Sequence, residues 1–305
     1  ASTDSIQAPN IPSTSSAVSV TSTPTSISND AGYSSGPDVF VSGNTVHVAW
    51  VDNNAGMVYK KSTDGGNTFG NTVVLSGGAA FGPGIAVSGN NVHIVWDPSN
   101  GSNAYAKSTD GGNTFSSPIT LDGIARPTIG VSGNYVHVLS QQNPTINYVR
   151  STDNGQVFEG VQTMSSSGTL VDGSGNSKNI AASGSNNVII GIDGGDNIEI
   201  IESRNGGSSF YPALLIPKNC MSSPGVAVSG NTMHISWNSC NNSQYYSRST
   251  DQGANFGTIQ EIPGINANRG SIAFSGSNLV MAHPVSGEIH VLLSSDSGQT
   301  FTSPA

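Results

Sequence analysis

Several sets of side chains in this sequence could do chemistry. Trp50, Trp96 and Trp237 offer aromatic faces on which a sugar ring could stack, and Arg126 and Arg269 could hold an anion. His47, His93, His137 and His234 are possible metal ligands, while Asp52, Asp97 and Asp193, with Asn238, could supply oxygens to Ca²⁺. Tyr59, Tyr105, Tyr148 and Tyr246 carry hydroxyls that an adjacent base could activate. Their spacing decides how to read them. Each tryptophan follows a histidine by three residues, and each of these tyrosines precedes by three the serine of one recurring octet. Each set therefore occupies one position of a repeating unit.

That octet, STDGGNTF at 62–69, organises the chain. It returns as STDGGNTF (108–115), STDNGQVF (151–158), SRNGGSSF (203–210), STDQGANF (249–256) and SSDSGQTF (294–301), with serine spacings of 46, 43, 52, 46 and 45 residues. A period of this size marks a repeated supersecondary unit. The Asp or Asn is expected to accept from backbone N–H groups two residues on. The second glycine supplies a positive φ, and the closing Phe turns back into the core. The fixed positions are Ser62, Asp64, Gly66, Thr68 and Phe69; Ser108, Asp110, Gly112, Thr114 and Phe115; and Ser294, Asp296, Gly298, Thr300 and Phe301. The looser copies keep Ser151, Asp153, Gly155 and Phe158; Ser203, Asn205, Gly207 and Phe210; and Ser249, Asp251, Gly253 and Phe256.

A second landmark lies upstream of each octet, an SGN or SGS turn whose serines are Ser42, Ser88, Ser132, Ser183, Ser229 and Ser275. Alternating apolar runs flank it, so a unit such as GIAVSG, NNVHIVW, NAYAKSTD, PITLDG reads as four short strands. The fold class is all-β: a six-bladed β-propeller of four-stranded antiparallel blades with an N-terminal extended arm. The domains are the arm, 1–21, and the propeller, 22–305. SGN turns and octets share one face of the disc, the bottom; the remaining loops lie on top.

The octet, S-x-D-x-G-x-T-F, resembles the Asp-box of the sialidase-like propellers, which are numerous among archaeal and bacterial surface proteins. Resemblance to sialidases implies three arginines clamping a substrate carboxylate, a Tyr–Glu nucleophile and an acidic acid/base residue. This chain has five arginines. Arg150, Arg204 and Arg248 sit in or beside octets, on the bottom, and Arg126 and Arg269 belong to opposite blades. A clamp cannot be assembled from them, so the protein is expected not to be an enzyme.

The histidine position accepts Val188 and Val280 in the other units, which makes it a packing position; four histidines from separate blades form no metal site. No cofactor is expected, Ca²⁺ on the top-rim acids being the one possible exception. The tryptophans are read chiefly as inter-blade packing, with a top-face glycan patch as the alternative.

With 10% charged residues, a net charge of −9 and scattered basic groups, neither nucleic acid nor an anionic membrane surface is a fitting partner. No apolar run approaches the ~18 residues that span a bilayer. The composition is that of a secreted, extracellular or cell-surface protein. Cys220 and Cys240, on neighbouring top loops of blade five, are expected to form a disulfide. Asn100 and Asn241 lie in N-glycosylation sequons.

The last octet ends at Phe301, leaving blade six without its own fourth strand. Aligning Ile27 with Val73 makes residues 22–28 the missing strand, closing its own ring or a neighbour's. The arm, in which Val18 and Val20 alternate with polar residues, could add as a strand to another subunit. The function expected on these grounds is a structural subunit of a homopolymeric fibre or surface array. A glycan- or protein-binding module is the alternative, and a sialidase-like hydrolase comes third.

Overall fold

A computed structural model describes residues 26–28, 33–78, 80–99, 102–121, 126–170, 179–217, 224–238, 243–262, 271–275, 277–285 and 288–302. The arm with Val18 and Val20, the pair Cys220 and Cys240, the sequons at Asn100 and Asn241, and Arg269 lie outside these residues.

The described residues form strands and turns with no helix, in six antiparallel sheets. Blade one is β1 (Ser34–Ser42), β2 (Thr45–Asp52), β3 (Gly56–Ser62) and β4 (Val73–Ser76). Blade two is β5 (Phe81–Ser88), β6 (Asn91–Asp97), β7 (Asn103–Ser108) and β8 (Ile119–Leu121). Blade three is β9 (Thr128–Ser132), β10 (Tyr135–Gln142), β11 (Thr145–Ser151) and β12 (Gln162–Ser165). Blade four is β13 (Ile180–Ser183), β14 (Asn187–Asp193), β15 (Asn197–Ser203) and β16 (Leu214–Pro217). Blade five is β17 (Gly225–Ser229), β18 (Thr232–Asn238), β19 (Gln244–Ser249) and β20 (Gln260–Ile262). Blade six has β21 (Ser271–Ser275), β22 (Asn278–Val285) and β23 (Glu288–Ser294), and among the described residues only the bridge from Leu293 to Thr302 begins a fourth strand. Inner strands pack on one another in sequence from β1 to β21, which lays the blades around a ring.

The octets differ in one respect from expectation. The Asp64 carboxylate accepts from Thr68 N at 2.9 Å, four residues on, and from the Thr68 hydroxyl at 2.6 Å. The backbone N–H groups of Asp64 and Gly66 donate instead to the Ser62 hydroxyl, at 3.3 and 2.8 Å, and that hydroxyl donates to Asp64 at 2.6 Å. The octet is a loop too wide for one Asx turn, and the serine bridges its near half. These bonds hold the Asp64 carboxyl down at about 2, led by that from Ser62. Each octet also bonds its own SGN turn, as in Gly65 N to Asn44 O at 2.8 Å, so both lie on one face.

The core lies between blades. Met57 and Tyr59 of β3 and Leu75 of β4 pack with Ile94 and Trp96 of β6 and Ala106 of β7. The octet Phe pins the preceding blade: Phe115 meets Tyr59 edge-on at 4.9 Å, and Phe158, Phe210 and Phe301 meet Tyr105, Tyr148 and Tyr246 at 5.0 Å.

Candidate functional site

The repeat makes the same joint four times. A buried histidine of the second strand bonds through Nδ1 to the tyrosine hydroxyl of the third: His47–Tyr59 at 2.6 Å, and His93–Tyr105, His137–Tyr148 and His234–Tyr246 at 2.7 Å. Each hydroxyl lies under the octet glycine of the next blade, where a Cβ on Gly112, Gly155, Gly207 or Gly298 would overlap it. Burial first, and the neighbouring cation second, lowers the imidazoles to about 4 for His47, His93 and His234 and about 3 for His137. Burial pushes all four tyrosines up. These histidines are neutral packing groups, and these phenols are not nucleophiles. A cation just before the octet completes the joint by reaching a carbonyl of the next octet: Lys61 to Gly111 O at 2.8 Å, Lys107 to Asn154 O at 3.1 Å, Arg150 to Gly206 O at 2.7 Å and Arg248 to Ser297 O at 3.1 Å.

The other sequence candidates divide. Trp50 and Trp237 are 4% exposed and Trp96 is fully buried, so none presents a ring to solvent. A top-face aromatic patch built on them is therefore absent: the same residue type, three positions after an inward histidine, is drawn into the inter-blade core. Asp52 accepts from Asn54 N and Ala55 N at 2.8 Å, Asp97 from Ser99 N at 2.8 Å and Asp193 from Gly195 N at 3.0 Å, so these acids shape their own loops. Among the described residues no cluster of three or more His, Cys, Asp or Glu could hold a metal. Arg126 is exposed, with φ +53.

Blade four breaks the pattern. Strand pairing puts Ile189 at the histidine position, one residue beyond the Val188 expected from spacing because the turn after Ser183 is one residue longer, with Ile200 at the tyrosine position and Glu202, the partner of Ile189, at the cation position. Inside its octet Arg204 replaces the usual Thr or Ser, and Tyr211 follows the closing Phe. These departures meet at the joint with blade five, in a cleft of about 420 Å³ lined by Ile200, Glu202, Arg204, Tyr211, Leu214 and Gly253 among others. Ile200 is too short to fill the tyrosine's place under Gly253, and the Glu202 carboxylate stands there instead. Arg204 takes over the inter-blade tether through Nε to Gln252 O at 3.2 Å, pairs through a second nitrogen with Glu202 Oε1 at 2.6 Å, and lies 4.7 Å from the centre of the Tyr211 ring. Glu202 is only 8% exposed, and its Oε2 is buried without a protein partner. Desolvation raises its carboxyl above the usual range against the opposing pull of Arg204. Tyr211 remains 50% exposed. The arrangement sets a guanidinium and an aromatic surface in one concavity, above a carboxylate whose Oε2 is buried and unpartnered beneath Gly253.

Arg204 was expected merely to serve its hairpin, and Glu202 and Tyr211 drew no expectation. The signal that finds them is departure from the chain's own repeat at several positions of one blade.

No family model and no curated protein matches this chain. Solved structures do share its fold. The fucose-specific lectin from Aleuria aurantia is 12% identical, with a TM-score of 0.59 over 90% of this chain and 95% of that one. The BP39L lectin from Burkholderia pseudomallei is 12% identical, with a TM-score of 0.68 over 86% of this chain and 80% of that one. A sialidase from Trypanosoma rangeli is 13% identical, with a TM-score of 0.51 over 85% of this chain and 53% of that one. At such identities the likeness is one of fold, and the chain is a six-bladed β-propeller similar to lectin and sialidase propellers.

Proposed function

We propose that this protein is a glycan-binding propeller of the extracellular space or cell surface, acting without catalysis. The observation that carries the reading is the blade-four cleft, where a buried carboxylate oxygen lacking a protein partner lies beside a half-exposed tyrosine stacked on an arginine. Sugars are recognised by such combinations, because a pyranose has hydroxyls to share with charged groups and a C–H face to lay on an aromatic ring. The lectin propellers that share the fold lend the same reading weight. Hydrolysis of sialosides draws no support from the arginines, since Arg150 and Arg248 are tied to neighbouring octets and Arg204 to Glu202 and Gln252. A glycan array probed with the intact protein tests the reading. Binding to a defined set of glycans, lost in Tyr211→Ala with the melting temperature kept, is expected; an array on which the intact protein binds nothing overturns it.

A second reading, a subunit of a fibre or array joined by N-terminal strand addition, is favoured by blade six. Among the described residues β23 has no full partner strand on its outer side, and such an edge is a template for pairing. Particles that shrink when residues 1–21 are deleted would support it, and a monomer with the arm intact would exclude it.

A further inference from the structure

The charges around the cleft bear on which sugars fit it. Glu202 and Asp251 are the acidic groups there and Arg204 the basic one, and Asp251 adds to the rise of the Glu202 carboxyl. Arg204 is already matched by Glu202 at 2.6 Å, so the site carries a net negative balance within a chain of net charge −9. An anionic sugar would have to bring its carboxylate or sulfate against a carboxylate that burial already disfavours, with the sole local cation engaged. A neutral ring meets no such cost. Its hydroxyls can donate to the Glu202 carboxylate, whose Oε1 accepts from Arg204 and has capacity for a second donor, and accept from guanidinium N–H groups that Gln252 and Glu202 leave over. Its apolar face can cover Tyr211 and the neighbouring Leu214, which are 50% and 44% exposed.

Resting on the glycan-binding reading, we infer that the blade-four cleft selects neutral pyranoses with adjacent free hydroxyls and rejects rings bearing a carboxylate or sulfate. One hydroxyl donates to Glu202, its neighbour accepts from Arg204, and the ring lies on Tyr211. The site thus differs in ligand class from that of a sialic-acid-binding propeller, although the folds are alike.

Calorimetric or NMR titration of the intact protein with methyl α-L-fucoside, methyl β-D-galactoside and methyl α-D-mannoside, against methyl glucuronide and the methyl glycoside of N-acetylneuraminic acid, tests this. At least one neutral glycoside should bind at least tenfold more tightly than either acid. Glu202→Gln should weaken the neutral ligand about tenfold and narrow the gap to the acids, its melting curve serving as the control for folding. Equal or tighter binding of an acidic glycoside overturns the selectivity and leaves glycan binding standing. Neutral binding unchanged in both Glu202→Gln and Tyr211→Ala overturns the placement of the site. Failure of every glycoside, together with an empty array, overturns both readings.

Discussion

The Tyr105 hydroxyl of blade two lies under Gly155 of blade three, so close that a Cβ on that glycine would overlap it. The glycine is required twice over, by φ +71 and by this contact. Gly133, in an SGN turn, has φ +59 but open space around the position of a Cβ. Gly133→Ala should therefore cost only the backbone term, on the order of 1 kcal/mol. Gly155→Ala should cost about 3 kcal/mol or more, because it displaces a buried ring from both His93 and Phe158. Denaturant unfolding of the two variants makes the comparison, and equal losses would mean that the joint contributes nothing beyond the turn.

The four histidine–tyrosine joints set a pH limit. The imidazoles titrate at about 3 to 4 in the folded chain against about 6.5 when unfolded, so the unfolded state takes up protons first. Stability is complete above pH ~6.5 and declines as pH falls toward ~4, by on the order of a few kcal/mol for each buried imidazole. The octet carboxylates, Asp64 and Asp251 at about 2 and Asp110 and Asp296 lower still, add their loss at lower pH, as it falls from the ordinary range of an unpaired Asp toward their folded values. Melting temperatures across pH 7 to 4 should fall steeply in the wild type and less so in His93→Gln. A flat profile over that interval would show that the imidazoles are not held neutral by burial.

Much of this was legible in the sequence because the repeat is written in turn chemistry. Ser62, Asp64, Gly66 and Thr68 name the loop they form, and the position of Phe301 leaves blade six short of a fourth strand, which among the described residues is only the Leu293–Thr302 bridge. The tryptophans were ambiguous, since alternation fixes which face of a strand a residue occupies but not whether the next blade covers it; Trp96 is covered completely. The cleft was illegible position by position. Glu202 and Tyr211 are unremarkable on their own, and they meet only because Ile200 leaves the space under Gly253 unfilled.

The chain near Ile27 packs against the middle strands of blade one. Ile27 packs with Val48, Trp50 and Val58 of blade one, and Lys60 Nζ donates to its carbonyl at 2.6 Å. Val280 and Val291 stand where the joint found elsewhere has its histidine and tyrosine, and the Cβ position of Gly66 in blade one meets only Val46, so this face of blade one lacks that joint and has the Ile27 contact. Ile27→Asp should destabilise the protein by about 2 kcal/mol. It should also raise amide exchange in β2 and β3 before it does so in β10 and β11. Uniform exchange throughout the ring would show that Ile27 holds β2 and β3 no more firmly than the rest.

If blade four holds a cleft because it abandoned the common joint, restoring that joint should remove it. The triple variant Ile189→His, Ile200→Tyr, Glu202→Lys gives blade four the residue types of His93, Tyr105 and Lys107 at the same places in the strand pairing. Gly253, with φ +88, already presents the bare backbone that such a tyrosine needs, and the Glu202 carboxylate that now stands beneath it is gone. The new lysine can take over the tether to Gln252 O that Arg204 makes at 3.2 Å. The variant should fold with an equal or higher melting temperature at neutral pH, gain acid sensitivity from its fifth buried imidazole, and lose sugar binding by tenfold or more. Each single change ought to behave worse than the set, because Ile200→Tyr alone collides with Glu202 and Glu202→Lys alone leaves the space beside Ile200 unfilled. Calorimetry of the variants and a titration with the best glycoside read all of this together. Retained sugar binding in a well-folded triple variant would place recognition elsewhere on the propeller.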